Sequence, residues 1–173
     1  MPVPPAKRQE DLNIALRVMA AEAGDEPLWA VYWRVSDTPT LAALLPTTLP
    51  ELEEEGYVRS EPMMGGVDNW YLTEEGWIRG LELNGSLKDP AFRQRVYDLV
   101  TYLKGTVSRG DADDALLDAR EIQAETGIPD GWVLNAVKSD LLSHLVPDKK
   151  MNAWHDARNH LIRVPPTFGM QLR

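Results

Sequence analysis

Apolar residues recur along the chain at two spacings, and the switches between them mark its elements. Leu12, Leu16, Met19, Ala20 and Ala23 fall on one face at helical steps, which predicts an amphipathic helix from about Gln9 to Gly24. Pro2, Pro4 and Pro5 resist helix formation and predict a flexible tail over residues 1–8. The segment PLWAVYWRV satisfies both periods. Trp29, Val31, Trp33 and Val35 alternate, whereas Leu28, Trp29, Tyr32 and Trp33 suit a helix, which is the preferred reading. A short helical run over residues 40–45 precedes Pro46, and Leu49 and Leu52 carry another turn of helix to Gly56.

Beyond Gly56 the chemistry changes to strand. Tyr57 and Val58 form one run and Trp70, Tyr71 and Leu72 a second, with Gly65 and Gly66 between them to accept the positive φ of a hairpin turn. Thr73 then offers its hydroxyl as an N-cap, Glu74 and Glu75 suit a first helical turn, and Trp77 and Leu81 carry that helix to about Leu83. Residues 84–90, with Asn84, Gly85, Ser86 and Pro90, read as a linker.

The second half is predicted to be helical. Phe92, Val96, Leu99, Val100 and Leu103 form a stripe that Gly105 stops; a helix through Leu116, Ala119 and Ile122 follows Asp111, Asp113 and Asp114 and closes at Thr126-Gly127. Pro129 suits a helix start, and Val133, Val137, Leu141 and Leu145 continue at steps of four to Pro147. A helix over about residues 151–159 and a terminal strand through Leu161, Ile162 and Val164 complete the reading.

The order helix, short helix, LPELEEEGYV, Gly-Gly hairpin and WYLTEEGW resembles the winged-helix fold of MarR-type and PadR-type bacterial regulators. The resemblance rests on Leu49, Leu52, Glu54, Glu55, Gly56, Tyr57, Val58, Leu72, Thr73, Glu74, Glu75 and Gly76, and covers roughly the first half of the chain. It implies a mainly α fold with small β-hairpin wings (α+β), here a winged-helix domain over residues 9–83. Residues 91–173 form a helical second domain. Residues 111–126 and 131–145 there would repeat the helix-turn-helix theme as a tandem winged helix without a clear wing, the alternative being a helical dimerisation or capping subdomain.

Charge complicates the function that the resemblance implies. The chain carries a formal charge of −9, and binding duplex DNA requires cations against phosphates. Residues 1–129 hold 12 Lys+Arg against 23 Asp+Glu, giving −11, whereas residues 130–173 hold 6 against 4, giving +2. In regulators of this type the helix before the wing enters the major groove, and its outward row here is Thr47, Thr48, Glu51, Glu54 and Glu55, with Arg59, Glu61 and Asp68 on the wing. Carboxylates beside phosphate are repelled. The better DNA-reading face is the row Asn135, Lys138, Ser139 and Leu142, with Lys149, Lys150, Arg158 and Arg163 as phosphate clamps.

Two functions follow. The first is a dimeric transcriptional regulator that binds duplex DNA through its C-terminal half. The second is an acidic protein-interaction adaptor, similar to tandem winged-helix subunits of larger complexes, that grips its partner through Thr48, Glu51, Glu54, Glu55, Met63 and Met64. No catalytic role, cofactor or metal is expected. There is no cysteine, no phosphate loop and no nucleophile elbow, and the spacing of His155 and His160 in HDARNH is poor for one helical face. The absence of a long apolar run and of a secretory segment in MPVPPAKRQEDL predicts a cytoplasmic protein without a membrane partner.

Overall fold

The computed structural model describes residues 4–34, 45–66, 68–107, 115–139, 141–142, 154–156 and 160–164. The chain divides into two units, one made of Met1–Gly24 with Leu28–Gly85 and the other of Asp25–Pro27 with Ser86–Arg173.

The first unit opens with α1 (Pro5–Ala23), which buries Leu12, Ala15, Leu16, Met19, Ala20 and Ala23. Helix therefore occupies residues 5–8 of the expected tail, and residues 1–3 lie outside the described residues. A proline in the first helical turn brings the right φ and lacks only an N–H that the turn would leave unpaired, so Pro5 starts the helix instead of blocking it. Helix α2 (Leu45–Glu54) contains Pro50 on its exposed side and seals Leu49 and Leu52 completely from solvent. Residues 40–44 of the expected preceding run lie outside the described residues.

The sequence EEEGYV ends α2 by a mechanism that the residues dictate. Gly56 takes a φ of 80°, its N–H donates to the Glu53 carbonyl at 3.0 Å, and the Tyr57 N–H donates to the Leu52 carbonyl at 2.8 Å, capping two carbonyls that a helix end leaves orphaned. Strands β1 (Val58–Pro62) and β2 (Asp68–Leu72) then pair antiparallel in the register Val58↔Leu72, Arg59↔Tyr71, Ser60↔Trp70. Thr73 joins the hairpin to α3 (Glu74–Leu83). Its hydroxyl accepts from the Gly76 N–H at 3.1 Å and donates to the Gly56 carbonyl at 2.7 Å. Gly76 is required by crowding: a Cβ there would lie 1.9 Å from the Tyr57 carbonyl oxygen.

The helical reading of PLWAVYWRV is corrected. A single 3₁₀ turn spans Leu28–Ala30, and Trp33 then forms a β-bridge with Trp70, exchanging N–H···O bonds of 2.9 and 3.0 Å. The alternating period prevails because β2 offers an open edge and because the Trp33 indole N–H donates to Glu22 at 2.7 Å, which lets the ring be buried.

The second unit contains α4 (Pro90–Val107), β3 (Ala115–Asp118), α5 (Ala119–Thr126), α6 (Asp130–Lys138), β4 (Trp154–Asp156) and β5 (Leu161–Val164). Its sheet has the order β3-β5-β4, all antiparallel. Four expectations change here. Helix α4 runs through Gly105, a residue that disfavours helix by only about 1 kcal/mol. Leu116 belongs to β3 instead of the helix that follows. The helix read through Val133, Val137 and Leu141 is interrupted at Ser139, which is extended. Over Trp154–Asp156 the helix expected for residues 151–159 gives way to β4, which pairs with β5, so antiparallel strands do follow α6; the rest of that span lies outside the described residues, and His160 precedes β5 with a φ of 57°. Ile162 and Val164 of β5, Leu99 and Leu103 of α4, Ile122 of α5 and Val133 of α6 are fully buried. Both units are thus mainly α with small antiparallel sheets, and among the described residues no helix is long and apolar enough to cross a membrane.

Candidate interaction surfaces

Helix α6 carries the residues expected to read DNA, and its surroundings decide what they do. Every residue from Gly131 to Val137 is buried. The cover includes the three-residue segment Asp25–Pro27. A Cβ on Gly131 would lie 2.5 Å from the Asp25 carbonyl oxygen and 2.6 Å from Pro27 Cδ, so only glycine permits this approach. Asn135, 3% exposed, donates from Nδ2 to the Glu26 carbonyl at 2.8 Å. Arg95 of α4 donates to Asp25 at 2.7 Å and lies 5.3 Å from the centre of the Trp132 ring, which Phe92 meets edge-on.

The expected outward row of α6 is therefore corrected. Asn135, Ser139 and Leu142 are buried, and only Lys138 remains on the surface. Arg163 in β5 is exposed as well. Lys149, Lys150 and Arg158 lie outside the described residues. A buried Asn135 already donating to a backbone carbonyl cannot present its amide to a base edge without breaking the unit's own packing.

On the first unit, α2 and the hairpin turn keep more of their expected exposure. Thr48 is the exception and is buried. Glu51 is half-covered and accepts from Arg8 Nε at 2.6 Å; the Glu51 carboxylate raises the Arg8 pKa further above its usual value, with Glu54 and Glu55 adding to the field. Glu53 accepts from both the backbone N–H and the hydroxyl of Ser60, at 2.8 and 2.7 Å, so it occupies the free edge of β1 and impedes another strand from pairing there. Glu54 and Glu55 are exposed, and at the hairpin tip Met63 is 44% and Met64 99% exposed. A cleft of about 440 Å³ opens nearby, with Leu12, Leu16 and Leu52 as its floor and Gln9, Asn13, Glu55, Tyr57, Arg79 and Glu82 around it.

The outer face of the same sheet holds an arrangement that the periodicity reading did not anticipate. Side chains alternate along strands, so Arg59 and Tyr71 share the face opposite to Val58 and Leu72, and Tyr32 and Arg34 join them on either side of Trp33; Tyr71 is buried, Arg34 half-buried, and Arg59 and Tyr32 exposed. The guanidinium carbon of Arg59 lies 4.4 Å from the Tyr71 ring centre, that of Arg34 5.1 Å from the Tyr32 ring centre, and the two rings are 6.1 Å apart. Arg34 Nε donates to Asn69 Oδ1 at 2.8 Å and Arg59 pairs with Glu61. The row runs Arg59, Tyr71, Tyr32, Arg34 across three chain segments. The alternating aromatics of PLWAVYWRV were the signal for it, had they been read as strand.

Divided after Gly85, where the first unit ends, the charge falls entirely on one side. Residues 1–85 hold 6 Lys+Arg against 15 Asp+Glu, whereas residues 86–173 hold 12 of each. The entire net charge therefore sits in the part that contains the first unit. No group of three or more His, Asp or Glu suited to a metal ion occurs among the described residues. Comparison of the chain with family models, with curated proteins and with solved structures finds no match.

Proposed function

We propose that this protein is a non-catalytic tandem winged-helix module that binds another protein through the acidic helix α2 and the methionine-tipped hairpin of its first unit. Two parallels support the tandem reading. In the second unit a helix, a strand, two helices and a hairpin follow one another, with the strand after the hairpin turn in the middle of the sheet. In the first unit β2 is likewise central, between β1 and the Trp33 bridge, and α2 precedes the hairpin as α6 does.

The observation that carries the functional reading is the state of the two helices that precede the hairpins. Helix α6 is buried from Gly131 to Val137, and α2 presents Glu54 and Glu55. Neither offers the cationic or amide-bearing face that a major-groove reader needs. Exposed carboxylates at the end of α2 and an exposed pair of methionines at the tip of the hairpin that follows suit a partner that offers basic residues and an apolar pocket, where flexible thioethers fill an irregular surface.

Duplex DNA binding is the second reading, favoured by the exposure of Lys138 and Arg163. Anisotropy of a labelled random-sequence duplex at low salt separates the two. No saturable binding is the expected result; binding that falls steeply with salt and is weakened by Lys138→Ala combined with Lys149→Ala and Lys150→Ala would overturn the protein-binding reading. A stoichiometric partner retained on purification is expected to be lost in the Glu54→Lys, Glu55→Lys variant.

A further inference from the structure

The first unit carries two surfaces of opposite character. One is the row Arg59, Tyr71, Tyr32 and Arg34 on the outer face of its sheet; the other is the exposed pair Glu54 and Glu55 at the end of α2. We infer that the sheet face is a docking site for the acidic end of α2 from a second copy of the chain, so that the protein self-associates. This rests on the reading of the first unit as protein-binding and names one partner for it.

The chemistry of the row supports that occupant. A guanidinium held beside a ring has already given up part of the rotamer entropy that an arginine otherwise loses when it grips a carboxylate. Arg34 donates to Asn69 and Arg59 holds Glu61, so both guanidinium groups are oriented by partners within the unit. Tyr32 is 47% exposed between them, and Trp29 is 46% exposed on the 3₁₀ turn that packs against β2. Trp, Tyr and Arg are the residues that anchor protein interfaces.

Charge complementarity selects the second copy. Without Asp25–Pro27, which belong to the second unit, residues 1–85 hold 13 acids against 6 cations, so a face carrying two arginines within this unit is matched by the acids that the same unit holds in excess. A two-fold arrangement would make the contact twice, each α2 meeting the other copy's sheet face, and would close the assembly as a dimer.

Sedimentation velocity tests this on the full chain between about 5 and about 500 μM, since mass action drives self-association over such a range. The expected result is a shift from monomer toward dimer at low salt. The association constant should fall at least about tenfold in about 0.5 M salt, where the screening length shrinks toward a contact distance. The variants R34E/R59E and E54K/E55K should each be monomeric, and an equimolar mixture of the two should associate again, because each then supplies the charge that the other reversed. Should R34E/R59E fail to fold by circular dichroism, R34Q/R59Q, which removes the charge with less change in polarity, is expected to weaken association about tenfold by loss of charge-assisted bonds.

A wild-type chain that stays monomeric throughout, or an association that none of these reversals weakens, overturns the inference. If the chain is monomeric yet retains a different protein partner through Glu54 and Glu55, the inference falls and the wider reading of the first unit stands. If E54K/E55K disturbs neither association nor partner retention, both fall.

Discussion

Replacing Asn135 by alanine distinguishes a residue that holds the second unit together from one that reaches for a ligand. In the structure the Asn135 amide is 3% exposed and donates to the Glu26 carbonyl at 2.8 Å. Alanine removes a net contribution of about 1 kcal/mol and leaves a carbonyl short of a donor, which costs roughly 1 kcal/mol more, for about 2 kcal/mol in all. With a urea slope of about 2 kcal/mol/M, the unfolding midpoint should fall by about 1 M. Circular dichroism measures the midpoint. Amide hydrogen exchange over α6 supplies the local readout, since faster exchange should centre on Trp132 to Val137 and leave α1 and α3 unchanged. A surface residue waiting for DNA would shift stability by less than about 0.5 kcal/mol. A midpoint change under about 0.2 M, on the same urea slope, would therefore refute the claim that Asn135 is structural.

Two other perturbations follow from the packing and the charges. Gly80→Ala drives a Cβ to within 2.4 Å of Ala20 Cβ and 2.7 Å of the Leu16 carbonyl oxygen, so α1 and α3 must separate; a loss of about 2–3 kcal/mol by urea unfolding is expected, and an unchanged midpoint would show that the helices do not cross there. Asp118 caps α5 and is held below the ordinary carboxylate range, chiefly by the Arg120 side chain and then by the Arg120 backbone N–H. Because the folded value is the lower one, its contribution is present above the unfolded carboxylate range and is lost as pH falls through the folded value. The stability advantage of the wild type over Asp118→Asn should thus be level from about pH 5 to pH 8 and shrink below about pH 4. An advantage that grows on acidification would contradict the assigned pair.

The parts of the fold that were legible in the sequence are those whose causes lie within a few residues. Gly56 had to end α2 because only a residue at ease with positive φ completes that cap, and Thr73 had to start α3 because its hydroxyl reaches the N–H three residues on. Gly65 and Gly66 turn the first hairpin at φ values of 95° and 76°. The stripes of α1 and α4 were long enough for a helical period to register, and their buried residues match it: Leu12, Leu16 and Met19 in one, Val96, Leu99 and Leu103 in the other.

Strands β3 and β4 gave no such signal. β4 has three residues and β3 four, too few for an alternating period, so what made them strands was a partner: β5 lies between them and satisfies both sets of backbone groups. Trp33 is a smaller case of the same cause, since its alternation meant nothing until Trp70 stood opposite. The sharpest divergence is Asn135. Helical spacing places it correctly relative to Val133 and Val137, yet spacing cannot say which face is covered. That was decided by Asp25–Pro27, over a hundred positions earlier in the chain, whose carbonyls fit against Gly131 and Asn135. The sequence by itself determined the ends that local caps fix, at Gly56, Thr73 and Gly127, and which residues are apolar enough to be inside. Only the tertiary structure decided which polar residues join them, because burial of a polar group depends on a partner that local pattern does not contain.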